Sequence, residues 1–310
     1  MGTPEFAVVS LQHLLESGHD ILAVVTQPDR PVGRGMAMTP PPVKRLAERH
    51  GIPVLQPRRA RDPEFLERLR AIGPDLIVVV AYGQILPAEL LQIPKLGCMN
   101  VHASLLPKYR GAAPFQWAII NGETETGITT MFMAEELDAG DILLQRRLAI
   151  GPDEDAASLH DRLAVLGAEV LLETIERLSK GELTRYPQDH TEATYYPRLD
   201  RDDGELDWSL SAQQVHDRVR GLNPWPGAFT FLDGRRIKII AGKTGGATDG
   251  EPGTVQSIND DGLGVATGEG IYIITRLQPA NGRVLSADEF ARGYRITSGA
   301  KLGRAPGNMV

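Results

Sequence analysis

Asp75-Leu76-Ile77-Val78-Val79-Val80-Ala81 is the stretch that decides the fold. From Leu76 onward it is apolar without alternation, so both faces of the strand are expected to be buried, as in a parallel sheet covered by helices on each side. Upstream, residues 63 to 72 suit a helix, Val43 to His50 reads as another stopped by Gly51, and Asp20 to Thr26 repeats the apolar run. Residues 4 to 17 read as an amphipathic helix ending at Gly18, with Pro4 in its first turn. Strands alternating with helices imply a right-handed, doubly wound, mostly parallel sheet, whose ligands sit at the strands' carboxyl ends.

The next strand leads into the densest chemistry. Leu96 to Val101 is mostly apolar and runs into Asn100-Val101-His102-Ala103-Ser104-Leu105-Leu106-Pro107-Lys108-Tyr109-Arg110-Gly111-Ala112-Ala113-Pro114, whose Ser, Pro, Gly and Arg residues cannot continue a ladder. Asn100 and His102 therefore fall at a strand exit, on one face, roughly 6.6 Å apart along the chain. An imidazole can take or hold a proton at neutral pH, and a carboxamide N–H can donate to an oxyanion developing on a carbonyl. That pair is equipment for acyl transfer. Further on, Gly127 to Met133 reads as a strand and Leu137-Asp138-Ala139-Gly140-Asp141 as a tight loop. A carboxylate there could pair with His102 and favour its charged form, and from the residues alone Asp138 and Asp141 compete for that place.

Composition narrows the classes. Cys98 is the only cysteine, which excludes an internal disulfide and a Cys-cluster metal site, and no metal is expected. Four residues of strand place Cys98 roughly 13 Å from His102, beyond the reach of a nucleophile and its base. No run approaches the roughly 18 apolar residues of a membrane span, and the start shows no basic stretch followed by an apolar one, so a soluble cytoplasmic protein is expected. The net charge of −7 speaks against non-specific nucleic-acid binding as the main task. Residues 201 to 310 hold 13 basic and 13 acidic residues, so the whole acidic excess lies in the first 200. There is no internal repeat, Walker loop, dinucleotide glycine pattern or zinc spacing.

Pro114 to Asn121 reads as a helix closed by Gly122. Asp155 to Lys180 carries a helical apolar stripe at 159, 163, 166, 170, 171, 175 and 178, ending at Gly181. Glu182 to Asp207 is polar and lacks periodicity, as a linker would. Ser211-Ala212-Gln213-Gln214 has the form of a capping box. From Phe229 short alternating strands take over, with Asp233-Gly234 a strong hairpin turn and further turns at Asp260 to Gly262 and Gly268 to Gly270. They suggest a small antiparallel barrel.

The Asn100 to Pro114 run and Leu137 to Asp141 closely resemble the methionyl-tRNA formyltransferase family. So, in the same order, do Gly2-Thr3-Pro4-Glu5-Phe6, Thr26-Gln27-Pro28-Asp29-Arg30-Pro31, Val79-Val80-Ala81-Tyr82-Gly83, Asp207-Trp208-Ser209, Asn223-Pro224-Trp225-Pro226 and Leu277-Gln278-Pro279-Ala280. The resemblance implies a formyltransferase-like Rossmann variant over residues 1–181, a linker over 182–207 and an OB-like tRNA-binding domain over 208–310. It implies transfer of a formyl group from 10-formyltetrahydrofolate to methionyl initiator tRNA, with Asn100, His102 and, by the family motif, Asp138 catalytic. Ser104, Leu105, Leu106 and Pro107 resemble the folate-binding loop, and Gln84, Ile85 and Leu86 are expected to meet the pterin through backbone groups. For the tRNA it implies Arg34 at the first base pair of the acceptor stem, on a Pro- and Gly-rich loop from Gln27 to Pro42, with Arg30 and Lys44 beside it. Arg236 and Lys238, together with Arg235 and Lys243, could line a phosphate-contacting face, or could guard a strand edge instead.

In the family an apolar strand precedes Gly2, and here it is absent, so the expectation is a start several residues upstream and neighbouring strands with unpaired backbone groups. The same Asn, His and Asp chemistry serves sugar-nucleotide N-formyltransferases and formyltetrahydrofolate hydrolases, and a non-catalytic tRNA binder is a further alternative. A single copy of the chain suffices for the proposed chemistry.

Overall fold

The structure, a computed structural model, describes residues 1–33 and 35–303. These divide into two compact units. One comprises Met1–Pro114, Glu125–Ala149 and His160–Tyr196; the other comprises Phe115–Thr124, Ile150–Leu159 and the chain from Pro197 onward. The last change of unit along the chain comes between Tyr196 and Pro197.

In the first unit Val24–Val25 pairs parallel with Val54–Leu55, and Ile77–Val79 pairs parallel with Cys98–His102, Val79 lying opposite Asn100. Glu125–Phe132 then runs antiparallel to Cys98–His102, and Ile142–Ala149 antiparallel to Glu125–Phe132. The first residues of the chain join the two parallel pairs. Gly2 N–H donates to the Val25 carbonyl (3.0 Å) and Val80 N–H to the Met1 carbonyl (2.9 Å), while the terminal amine donates to Val78 (2.6 Å). Beside them a cavity of about 510 Å³ opens among Ile21, Ala23, Ile72, Leu76 and Leu178. Burial pushes the Met1 amine down to about 5.

The helices form where their sequences say they should. Pro42 and Pro63 sit in first turns, where a missing N–H costs nothing, and Gly73 at φ 61° ends Pro63–Ile72. Glu5–Glu16 buries Phe6, Ala7, Leu11 and Leu14, and Pro63–Ile72 buries Phe65, Leu66 and Leu69 against Val25, Leu55 and Ile77. Each such Phe or Leu side chain contributes about 1.5–3 kcal/mol. On Ala156–Ser179, Gly167 lets the helix approach Val101 on the sheet. The stretch from Gln27 to Pro42, expected as a loop, holds a two-stranded ribbon instead, Arg30–Val32 against Ala37–Thr39. Arg34 lies outside the described residues.

The second unit is the antiparallel barrel expected from the turn spacing. Its strands run in the order Phe229–Leu232, Arg235–Thr244, Ile271–Pro279, Gly262–Ala266, Val255–Asn259, and Leu285–Ser286 adds to Ile271–Pro279. The late segment Gly299–Gly303 closes it, because Gly303 N–H donates to Phe231 (2.8 Å), Leu302 N–H to Gly253 (2.7 Å) and Val255 N–H to Ala300 (2.8 Å). One end of each outer strand thereby gains backbone partners. Tyr272, Ile274, Val255, Val265 and Phe290 fill the interior. Capping boxes at Ser211 and Ser286 start the helices Ala212–Gly221 and Ala287–Tyr294. No helix among the described residues is long and apolar enough to cross a membrane.

Cys98 lies 2% exposed, and burial pushes its thiol up to about 12. At pH 8 it is therefore a covered thiol, and a disulfide reagent such as Ellman's should titrate no thiol in the native protein and one after unfolding. Below pH 9 folded and unfolded chains both hold the proton. Between 9 and about 12 only the unfolded chain releases it, so this group lowers stability as pH rises through that window.

Candidate active site

Cys98–His102 places Met99 and Val101 on one face and Asn100 and His102 on the other. Met99 and Val101 are buried, so the register cannot slip and the polar pair is fixed. His102 is 6% exposed, and its Nε2 lies 2.9 Å from the Tyr109 carbonyl. A carbonyl only accepts, so Nε2 carries the hydrogen and Nδ1 is left to do chemistry. That atom is 3.8 Å from Asp138 Oδ2. Of the two expected aspartates, Asp138 is the one whose carboxylate comes within 4 Å of the ring. The half-buried Asn100 carboxamide makes no hydrogen bond among the described residues, which leaves both of its N–H groups for a ligand.

The loops that bring these groups together use unusual backbone. Tyr109 has φ 61°, which turns its carbonyl to His102, and its own N–H donates to Thr194 Oγ1 (2.8 Å). Asp138 has φ 51°, and its Oδ2 accepts the Gly111 N–H at 2.8 Å. Ala81 and Ala113, at φ 47° and 57°, are left-handed too. Gly111 and Gly140 are obligatory, because a Cβ would collide with the Tyr196 carbonyl at the first and with the Phe132 carbonyl at the second.

Ser104 to Pro107 follows His102 and is held from the neighbouring strand. Thr129 Oγ1 donates to the Ser104 carbonyl (2.7 Å) and accepts from Leu106 N–H (3.1 Å) and Gln145 Nε2 (3.0 Å), so its one hydrogen and two lone pairs are all used. Gln145 Nε2 also donates to the Leu106 carbonyl, and Ser104 Oγ to the Lys108 carbonyl, 2.8 and 2.7 Å away. Because Ile77–Val79 and Cys98–His102 are parallel neighbours, the Tyr82 to Pro87 loop leaves the same edge of the sheet. There Gln84 is spent on Ala60 N–H and the Arg58 carbonyl, and Leu86 is buried. Ile85 is 84% exposed. The main-chain groups of Gln84, Ile85 and Leu86 make no hydrogen bond among the described residues. A flat heteroaromatic ring with donors and acceptors on its edge suits such a loop.

The basic residues are placed less evenly. Lys44 is committed to Asp29, whose carboxyl is held below the usual range by the Gln56 amide and then by the Lys44 ammonium. Arg30 donates to Gln27 Oε1 at 3.2 Å. In the second unit Arg236 lies 3.6 Å over the Phe229 ring, and Lys238, two residues on, donates to the Pro224 carbonyl.

Two polar residues of the site were not expected from sequence. Thr129 sits in the buried middle of Glu125–Phe132 as one of three threonines there, so residue type alone did not single it out. Gln188 had no signal, since it lies in the aperiodic stretch before the second unit. It receives the guanidinium of Arg110, a residue with 0% exposure, at 2.8 and 3.2 Å, and donates to the Asp138 and Gly140 carbonyls, each at 2.8 Å. Among the described residues no group of three or more His, Cys, Asp or Glu side chains could hold a metal ion.

Residues 1–175 match the family model described as formyl transferase, and residues 198–295 match the formyl transferase C-terminal domain. The chain is 55% identical over 304 residues to methionyl-tRNA formyltransferase of Geobacter metallireducens, covering 98% of this chain and 97% of the relative. It is 48% identical over 309 residues to the enzyme of the same name from Ruminiclostridium cellulolyticum, covering 98% of each. Among solved structures it resembles the N-formyltransferase of Helicobacter canadensis in complex with folinic acid and dTDP-3-aminofucose, with TM-score 0.66, 18% identity and coverage of 88% and 96%. HypX from Aquifex aeolicus in complex with tetrahydrofolic acid gives TM-score 0.60 at 20% identity, covering 93% of this chain and 50% of that one. At these identities the solved structures speak for the fold.

Proposed function

The chain belongs to the methionyl-tRNA formyltransferase family, and from that premise we propose that it moves the formyl group of 10-formyltetrahydrofolate onto the α-amino group of methionine esterified to initiator tRNA. The observation that carries this reading is the unengaged Asn100 carboxamide, on the strand face it shares with a His102 whose Nδ1 looks toward Asp138. The free main-chain groups of Gln84 to Leu86 and the tied loop from Ser104 to Pro107 support binding of the donor's pterin at the same edge. Arg30, Arg34, Lys44, Arg236 and Lys238 are the cations we assign to the tRNA. Because Lys44 shares its charge with Asp29, it has the least charge to offer a phosphate among the four of them that the structure describes. The chemistry needs one copy of the chain, and we place it in the cytoplasm, where aminoacylated initiator tRNA is formed.

The reaction begins with the neutral α-amine, whose ordinary pKa of about 8 leaves an ample unprotonated share near pH 7. Its lone pair forms the new C–N bond to the formyl carbon while the carbonyl pair moves onto oxygen. Asn100 Nδ2–H donates to that oxyanion, and His102 as the imidazolium offers Nδ1–H, with the Asp138 carboxylate balancing its charge. As the carbonyl reforms, the bond from carbon to N10 of the folate breaks, N10 takes one proton and the attacking nitrogen gives one up. Asp138 and His102 can relay that proton, and no covalent enzyme intermediate is needed.

Supplied with 10-formyltetrahydrofolate, the protein should formylate methionyl initiator tRNA, and leave free methionine and a nucleotide-linked amino sugar untouched. Faster turnover on the amino sugar would reassign the acceptor, release of formate to water would indicate a hydrolase, and no turnover with any acceptor would leave a binding protein.

A further inference from the structure

The catalytic reading above leaves one question, namely what keeps the Asp138 carboxylate beside His102. The turn carrying it does not hold itself. Asp138 is left-handed at φ 51°, and within the turn the one backbone hydrogen bond among the described residues is long, Ala139 N–H to Glu136 at 3.5 Å. A side chain from elsewhere does the holding. Gln188, 6% exposed, donates through Nε2 to the carbonyls of Asp138 and Gly140, each 2.8 Å away. An amide can be turned either way, but Arg110 only donates, so its two contacts fix Oε1 toward the guanidinium and Nε2 toward the turn. Arg110 is in turn held by the Tyr195 hydroxyl at 2.6 Å and by His190 Nδ1 at 3.4 Å. Its neighbour Gly111 supplies the N–H that Asp138 Oδ2 accepts. The backbone of Asp138 is thus held by Gln188, which Arg110 orients, and its carboxylate by the N–H of Gly111, the residue next to Arg110.

We propose that Gln188, oriented by Arg110, is a positioning residue for the formyl transfer: its carboxamide clamps both ends of the Asp138–Gly140 turn and so fixes the carboxylate that faces His102. This rests on the catalytic reading of Asp138. Gln188 touches no substrate, and its effect is on turnover alone. Misplacing a charged group by about 1 Å costs as much as 10²-fold in rate.

The test measures kcat, KM for both substrates and thermal melting for Gln188→Leu, Gln188→Glu, Asp138→Asn and each double variant, with methionyl initiator tRNA and 10-formyltetrahydrofolate. Gln188→Glu keeps the volume and the acceptor for Arg110 but loses both donors to the turn, so it remains informative if Gln188→Leu does not fold. Both single variants should lower kcat roughly 10- to 100-fold with either KM little changed. In the Asp138→Asn background they should lower it no further, because the group they position has gone. Losses that multiply in the double variants, a change in KM alone, or an unaltered kcat for Gln188→Glu would overturn the clamp. If Asp138→Asn alone turned over at the native rate, the reading of Asp138 would fall and the clamp with it, whereas a slow Asp138→Asn beside a normal Gln188→Glu would sink only the clamp.

Discussion

Asn100→Ala lowers kcat for formylation of methionyl initiator tRNA by about 10²- to 10³-fold, with the KM for either substrate little altered. The size follows from what the side chain is free to do. Its carboxamide has no protein partner among the described residues, so nothing in the fold competes with an oxyanion for its N–H groups. An interaction that strengthens only as charge develops on the formyl oxygen acts on turnover and leaves ground-state binding alone. For the same reason the variant should melt close to the native temperature, since removing an unpaired carboxamide orphans no partner. Asn100→Asp keeps the shape but sets a carboxylate where negative charge must form, so its loss should be at least as large. Single-turnover kinetics with melting curves check both variants, and a substitution that raised only KM would remove the oxyanion account.

His102→Ala should cost more than catalysis. Loss of the group that carries and hands on the proton is expected to reduce kcat by roughly 10²- to 10⁴-fold. The ring also bonds the Tyr109 carbonyl through Nε2, and removing His102 removes that hydrogen bond. Its loss costs about 0.5–1.5 kcal/mol in folding stability, read as a lowered midpoint in urea. Asp138→Asn separates the two effects: it leaves the Tyr109 contact intact and removes the charge that lies 3.8 Å from Nδ1. It should slow turnover with a smaller change in stability, and its loss should not multiply with that of His102→Ala. If the two losses multiplied, the residues would be working separately.

How much of this was legible beforehand depends on how far apart in the chain the causes lie. Local causes could be read directly. Pro63 and the apolar spacing to Ile72 define one helix, Asp233-Gly234 defines a hairpin, and Ser211 with Gln214 forms the capping box their order suggests. The strand Asp20 to Thr26 was overextended, because an apolar run records burial while pairing needs a neighbour, and only Val24–Val25 has one in Val54–Leu55. The ribbon of Arg30–Val32 and Ala37–Thr39 was hidden by Pro31, Gly33 and Gly35, which break the alternation that marks a strand. Asn100 and His102 could be placed on one face from the period of two alone. The choice between Asp138 and Asp141 could not be made from residue types, since it depends on a left-handed turn docking against Gly111, 27 residues away. Gln188 was invisible for the same reason in stronger form: its partners lie 48 to 78 residues away in an otherwise featureless polar stretch.

Tyr109, Ala113, Asp138 and Ala81 all hold left-handed backbone that residues with a side chain adopt at a cost of about 1–3 kcal/mol each. Three of the four lie in the segments that frame His102, and the fourth opens the neighbouring loop. The protein therefore stores, in its resting fold, the conformational work that would otherwise be repeated at each encounter with substrate. The obvious targets for making it more heat-resistant, relaxing those four positions, lie in or beside the loops that hold the proposed reacting groups, so robustness and speed in this chain would compete over the same few peptide bonds.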